Sequence, residues 1–113
     1  MKISNRTKDT VLAEEAILAG SLFKRIKGLL GKKELKHGQA LILKPCNSIH
    51  TFFMSFPIDV LFMGKQNEVV KAISNIHPFR LSGVYFRASY VIELPAGTLQ
   101  ITRTEDGDHL QLE

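Results

Sequence analysis

Tryptophan is absent and cysteine occurs once, at Cys46. A single thiol excludes an internal disulfide framework and a multi-cysteine metal site, and as a free thiol it suits a reducing compartment. The prolines number only four and are scattered, and no repeat, linker or low-complexity tract interrupts the 113 residues. The chain reads as a single domain over residues 1–113, long enough to bury roughly two-thirds of its unfolded surface. Nowhere do charges vanish for the roughly eighteen residues that a membrane span needs. The opening MKISNRTKDT carries no apolar core of a secretion signal. The expectation is a cytoplasmic protein with no membrane association.

Nucleotide and metal signatures are missing as well. No phosphate-loop or dinucleotide glycine pattern occurs, and His37, His50, His77 and His109 are dispersed, with neither H-x-H nor H-E-x-x-H spacing. No cofactor and no metal are expected.

Acidic residues are scarce in one place. Across residues 21–37 stand Lys24, Arg25, Lys27, Lys32, Lys33 and Lys36 against the lone Glu34, a net +5, which leaves −1 for the rest of a chain of overall charge +4. Lys24, Arg25 and Lys27 fall on the polar side of an amphipathic stretch whose apolar residues are Leu22, Phe23, Ile26, Leu29 and Leu30. That spacing predicts a short helix over residues 21–31, with Ser21 as N-cap and Gly31 as stop. A solvated helix face explains the patch. Nucleic acid or another polyanion is the less favoured alternative, because no aromatic residues interleave the lysines.

Elsewhere the pattern is β. Apolar runs at residues 11–18 and 40–43 read as strands, and residues 58–63 and 68–73 flank the turn Gly64-Lys65-Gln66-Asn67 as a hairpin. A strand at residues 90–94 stops at Pro95. Residues 97–102 and 109–112 flank the Asp-Gly turn at Asp106-Gly107 and read as a second hairpin. The expected fold is α+β, mostly antiparallel sheet with one short helix in the N-terminal half. A partly closed barrel is the favoured shape, since so many short strands must cover their edges.

Residues 49–63, IHTFFMSFPIDVLFM, set a histidine and an aspartate in a strongly apolar run. On a strand, Asp59 shares its face with Leu61 and Met63, so an ionised carboxylate there needs partners. Three readings stay open for it: acceptor of backbone N–H groups at a turn or strand start, ligand-facing or catalytic group, or surface residue. Arg80, Arg87, His50 and His77 are its candidate cationic partners. His50 alternates with Phe52 and Met54, as a satisfied rim residue or, with Thr51, as the polar corner of an apolar pocket. A Cys46–His50–Asp59 nucleophilic triad is disfavoured, because four residues of strand span about 13 Å where about 3 Å is required. Cys46 is expected as a small buried apolar residue.

The order of motifs resembles a known family. Gly28-Leu29-Leu30 is followed by Leu41-Ile42-Leu43, Pro45-Cys46, Ser48-Ile49-His50-Thr51, Phe53-Met54 and Phe56-Pro57-Ile58-Asp59-Val60. Then come Val69-Val70-Lys71, Pro78-x-Arg80, Glu93-Leu94-Pro95-Ala96-Gly97-Thr98 and Gly107-Asp108. Together these resemble domain-of-unknown-function family number 192, over nearly the whole chain. The resemblance implies a small β-rich domain with a short helix and no established activity. Its hallmark positions fall here on His50, Thr51, Met54, Pro57, Asp59, Glu93, Leu94 and Gly97. The turn at residues 64–67 departs from the acidic, glycine-containing turn common in relatives, which argues against a cation site there.

The functional expectation is a binding module whose pocket is walled by Phe52, Phe53, Met54 and Phe56. His50, Thr51, Asp59 and Glu93 are its candidate polar groups, with Arg80 or Arg87 meeting an anion, and its partner is a small molecule or peptide segment. The alternatives are a hydrolase or isomerase using Asp59 or His50 as general base, and a polyanion- or protein-interaction module built on residues 21–37.

Overall fold

The computed structural model describes residues 1–19, 35–51 and 54–113. The helix expected over residues 21–31, the basic residues Lys24, Arg25 and Lys27, and the wall residues Phe52 and Phe53 lie outside the described residues.

The described elements run β1 (Ile3–Asn5), β2 (Thr10–Ala13), β3 (Glu15–Ala19), β4 (Gln39–Leu43), β5 (Ile58–Met63), β6 (Val69–Ile76), β7 (Tyr90–Pro95), α1 (Thr98–Thr102) and β8 (Leu110–Leu112). The strands form a three-stranded sheet of order β2-β1-β8 and a five-stranded sheet of order β3-β4-β7-β5-β6. All neighbours are antiparallel except β3 and β4, which are parallel. The chain is thus mostly β-sheet with one short described helix.

β7 and β5 lie at the heart of the larger sheet, and every residue of both is buried. Strands buried on both faces read as continuous apolar runs, which is why IDVLFM and YVIELP are so greasy. One face packs Ile42, Leu61, Met63, Ile92 and Leu94 against Ile3, Leu12, Leu99 and Leu110 of the small sheet and α1. The other face packs Leu41, Val60, Phe62 and Val91 under irregular chain, including Ile49, Met54, Phe56 and Tyr85. The Phe62 and Tyr85 rings lie 4.4 Å apart, centroid to centroid, in a tilted arrangement.

The hairpin about residues 64–67 is present, with β5 on β6. The partly closed barrel is not: among the described residues there are two separate sheets, the larger with β3 and β6 as its edges. Edge protection comes instead from irregularity. The β5–β6 register shifts twice, and Asn75 in β6 adopts a left-handed φ of 55°, the kind of bulge that discourages further pairing.

Two strand expectations also change. Residues 11–18 split at Glu14 into β2 and β3, which belong to different sheets. The run at residues 97–102 is helix α1, not a strand, and its expected partner β8 pairs with β1. α1 starts from Gly97 at φ 97°, a left-handed conformation that glycine enters without steric cost, and ends at Arg103 at φ 57°. The hydroxyls of Thr98 and Thr102 donate to the carbonyls of Pro95 and Thr98, both at 2.8 Å. This local bonding lets β-branched residues hold a helical turn that their propensity disfavours.

A polar clasp joins the first strand to the last turn. Asn5 Nδ2 donates to Thr104 Oγ1 at 3.1 Å and to Asp108 Oδ2 at 2.9 Å. Lys8 Nζ reaches Glu105 at 2.7 Å and Asp108 at 2.9 Å. Burial pushes the Asp108 carboxyl up, but the hydrogen bonds from Asn5, Lys8 and the Glu105 amide, with the Lys8 charge, outweigh it and hold the group below its usual value of 3.8.

Candidate functional site

Asp59 is fully buried at the start of β5. Its Oδ1 accepts the Asn75 amide at 2.8 Å, and its Oδ2 accepts the amides of Gly97 at 3.1 Å and Leu99 at 2.9 Å. One carboxylate therefore fixes the β6 bulge and the first turn of α1. Three backbone donors supply the compensation that a buried carboxylate requires. Among the described residues it forms no ion pair with an arginine, lysine or histidine.

Thr51 is equally buried and does comparable work on the other face of the sheet. Its hydroxyl donates to the His77 carbonyl at 2.7 Å and accepts the Arg80 amide at 2.9 Å. Its backbone N–H donates to the Arg80 carbonyl, and its own carbonyl accepts the amides of Phe79 and Met54. Thr51 thus clamps the turn after β6. Inside that clamp Phe79 takes φ 63°, which is uncommon for a bulky residue and costs roughly 1–2 kcal/mol.

His50, next to the clamp, is exposed and bridges Leu81 through an isolated antiparallel pairing. Further pairing continues the contact. Ser82 donates its amide to the Ile49 carbonyl at 3.0 Å and accepts the Ile49 amide on its hydroxyl at 2.8 Å, while the Tyr85 amide donates to Asn47. Residues 47–51 therefore hold residues 79–85 as an irregular surface ribbon. Met54 turns inward beneath it.

Sequence reasoning grouped His50, Thr51, Met54, Asp59, Arg80, Arg87 and Glu93 around one pocket. His50, Thr51 and Arg80 do meet, at this ribbon, and Arg87 follows on the same exposed segment. Asp59 and Glu93 sit within the central strands instead. Glu93 is buried in β7 opposite Leu41 and Val60. Cys46, expected buried, is half-buried and donates its thiol to the Ser48 carbonyl at 3.0 Å.

The ribbon also carries residues that sequence reasoning passed over. Phe79 is 69% exposed, Leu81 72%, Val84 51% and Phe86 88%. Grouped exposed apolar residues of this size mark interaction surfaces, whereas scattered ones are ordinary. Arg80 and Arg87 are interspersed with them, and neither guanidinium has an ion-pair partner among the described residues. The signal was present in HPFRLSGVYFR at residues 77–87, where apolar and cationic residues mingle with neither helical nor strand periodicity.

Two surface hollows, of about 630 and 230 Å³, lie elsewhere and include none of His50, Thr51, Met54 or Asp59. Among the described residues no group of three His, Cys, Asp or Glu side chains could hold a metal, and no helix is long and apolar enough to cross a membrane.

Comparisons with known proteins agree with this architecture and assign no chemistry. The chain is 33% identical over 113 residues to a UPF0127 protein of Thermococcus sibiricus, spanning 96% of this chain and 73% of that one. It is 34% identical over 113 residues to a UPF0127 protein of Pyrococcus horikoshii, spanning 96% of both. The crystal structure of a protein of unknown function from Novosphingobium aromaticivorans superposes with a TM-score of 0.84 at 19% identity, over 99% of this chain and 84% of that one, a likeness of fold alone. The sequence profile of one uncharacterised family, Uncharacterized ACR, COG1430, runs from residue 3 to residue 112, and the chain accordingly belongs to that family, DUF192.

Proposed function

We propose that this domain is a recognition module that docks an apolar, acidic segment of another protein on the ribbon of residues 79–87. The observation that carries the reading is the outward display of Phe79, Leu81, Val84 and Phe86 on backbone that a fully buried threonine holds in a strained turn. Bulky residues in the left-handed region persist where the surroundings over-determine them, and such strain clusters at binding sites. Burying Phe79 and Phe86 against a partner would recover apolar area now spent in water. Arg80 and Arg87 would meet carboxylates, which selects an acidic segment over a basic one.

General-base chemistry at Asp59 or His50 has less behind it. Asp59 has no solvent contact and its oxygens already accept three amides, while His50 lies at the surface on a different part of the fold. The half-buried Cys46 is in no disulfide, which supports a reducing compartment, and we read the module as cytoplasmic.

Fluorescence anisotropy with a labelled library of decapeptides alternating Leu or Phe with Asp or Glu tests the reading. Selected peptides should bind saturably, and the paired substitution Phe79→Ala with Phe86→Ala should weaken them about tenfold or more. Arg80→Gln with Arg87→Gln should flatten the salt dependence. A library in which no peptide saturates, or variants that bind as the parent does, would sink the proposal.

A further inference from the structure

The larger hollow, about 630 Å³, is formed where three chain segments meet at one end of the five-stranded sheet. β4 ends at Leu43, β5 ends at Met63 and β7 begins at Tyr90, and the pairings Leu43 with Val91 and Met63 with Tyr90 bring those ends together. The residues just beyond them line the hollow: Lys44 and Asn47, Lys65 and Asn67, Ser89 and Tyr90. None of the exposed apolar residues of the 79–87 ribbon lines it.

Among the described residues the lining contains two lysines and no carboxylate. Neither Lys44 nor Lys65 has an ion-pair partner among the described residues. Lys44 Nζ lies 5.7 Å from the centre of the Tyr90 ring, where the ring face attracts the cation. The Tyr90 phenol donates to Asn67 Oδ1 at 2.6 Å. That bond orients the Asn67 carboxamide and leaves its Nδ2 hydrogens as donors. Asn67 itself sits at φ 61° in the turn, a conformation that asparagine tolerates better than most residues. Glu68, the acidic neighbour whose charge reaches Tyr90, is not among the lining residues. Two lysines, the carboxamides of Asn47 and Asn67 and the Ser89 hydroxyl thus belong to residues lining one hollow, with the Tyr90 ring beside Lys44 and a volume in the range of small-molecule sites.

We propose that this groove binds a small phosphate-bearing molecule, whose anionic oxygens are shared between the Lys44 and Lys65 ammonium groups. Lysine serves phosphate as a mobile point charge, and Asn67 and Ser89 supply neutral donors for the remaining oxygens. The site is independent of the peptide-docking surface, and neither proposal needs the other.

Inorganic pyrophosphate, titrated into the full chain and followed by amide NMR shifts, is the test. The expected result is saturable shifts at Asn47, Lys65, Asn67, Ser89 and Tyr90. Lys44→Gln combined with Lys65→Gln should weaken binding by about tenfold or more. Three results would overturn the assignment: no saturation, shifts spread over the basic surface without preference for the groove, or a double variant that binds as the parent does. An oligonucleotide moving the same amides at lower concentration than pyrophosphate would overturn the small-molecule class.

Discussion

The Leu99 amide at the start of α1 donates to Asp59 Oδ2 in β5 at 2.9 Å, across 40 residues of sequence. With Gly97 on the same oxygen and Asn75 on the other, Asp59 joins three elements through one side chain. Asp59→Asn replaces one acceptor oxygen with an NH₂ donor, so at least one amide faces a donor whichever way the carboxamide turns. The variant should lose about 1–3 kcal/mol of stability, read from the midpoint of urea denaturation, and should keep peptide docking at residues 79–87. Normal stability with lost docking would instead make Asp59 a ligand group.

Thr51→Val keeps the shape of the side chain and removes the hydroxyl. The His77 carbonyl loses its donor and the Arg80 amide its acceptor, at a cost of about 1–3 kcal/mol. Hydrogen exchange should accelerate most at the Arg80 amide. Thr51→Ser should restore protection, and failure to do so would implicate the lost methyl rather than the clamp.

Phe79 offers the opposite signature. Because φ 63° strains any residue with a Cβ, Phe79→Gly should stabilise the fold by up to about 1 kcal/mol in thermal melts. The same substitution removes an exposed ring and should weaken peptide docking. Stability gained as binding is lost is the behaviour expected where strain is retained for function.

The clasp at Asp108 gives an acid dependence with a definite sign. Its carboxyl titrates lower in the folded chain than its usual 3.8, so the folded state binds its proton less readily than the unfolded state does. The stabilisation is present in full above 3.8 and is lost as pH falls through the folded value. Asp108→Asn should lower stability at neutral pH and flatten the acid limb of a stability–pH curve. An unchanged acid limb would count against the clasp.

The hairpin of β5 and β6 was legible because a polar turn sits between two apolar runs, a local signal. The parallel pairing of β3 with β4 was not, because nothing in either strand records the direction of its neighbour. Residues 97–102 read as a strand because Thr98, Ile101 and Thr102 are β-branched; their helical turn is set by the left-handed backbone of Gly97 and by Asp59, whose carboxylate lies outside the segment. Strict alternation likewise misplaced His50 with Met54. The Met54 amide turns back to the Thr51 carbonyl, so Met54 is buried while His50 stays exposed. Polar residues in the apolar run were recognisable as special. Their division into a sheet anchor, Asp59, and a loop clamp, Thr51, depended on partners distant in sequence.

The position of β1 between β2 and β8 has a consequence for biosynthesis. Ile3 pairs with Ala13 on one side and with Leu112 on the other, so one of its two neighbours follows it closely in synthesis and the other is made far later. Until then the nascent chain carries a half-paired edge whose apolar face, Ile3 and Leu12, lacks Leu110. Closure of the small sheet is therefore a late, long-range event, and the interval before it is when the growing chain is most open to mispairing with its neighbours.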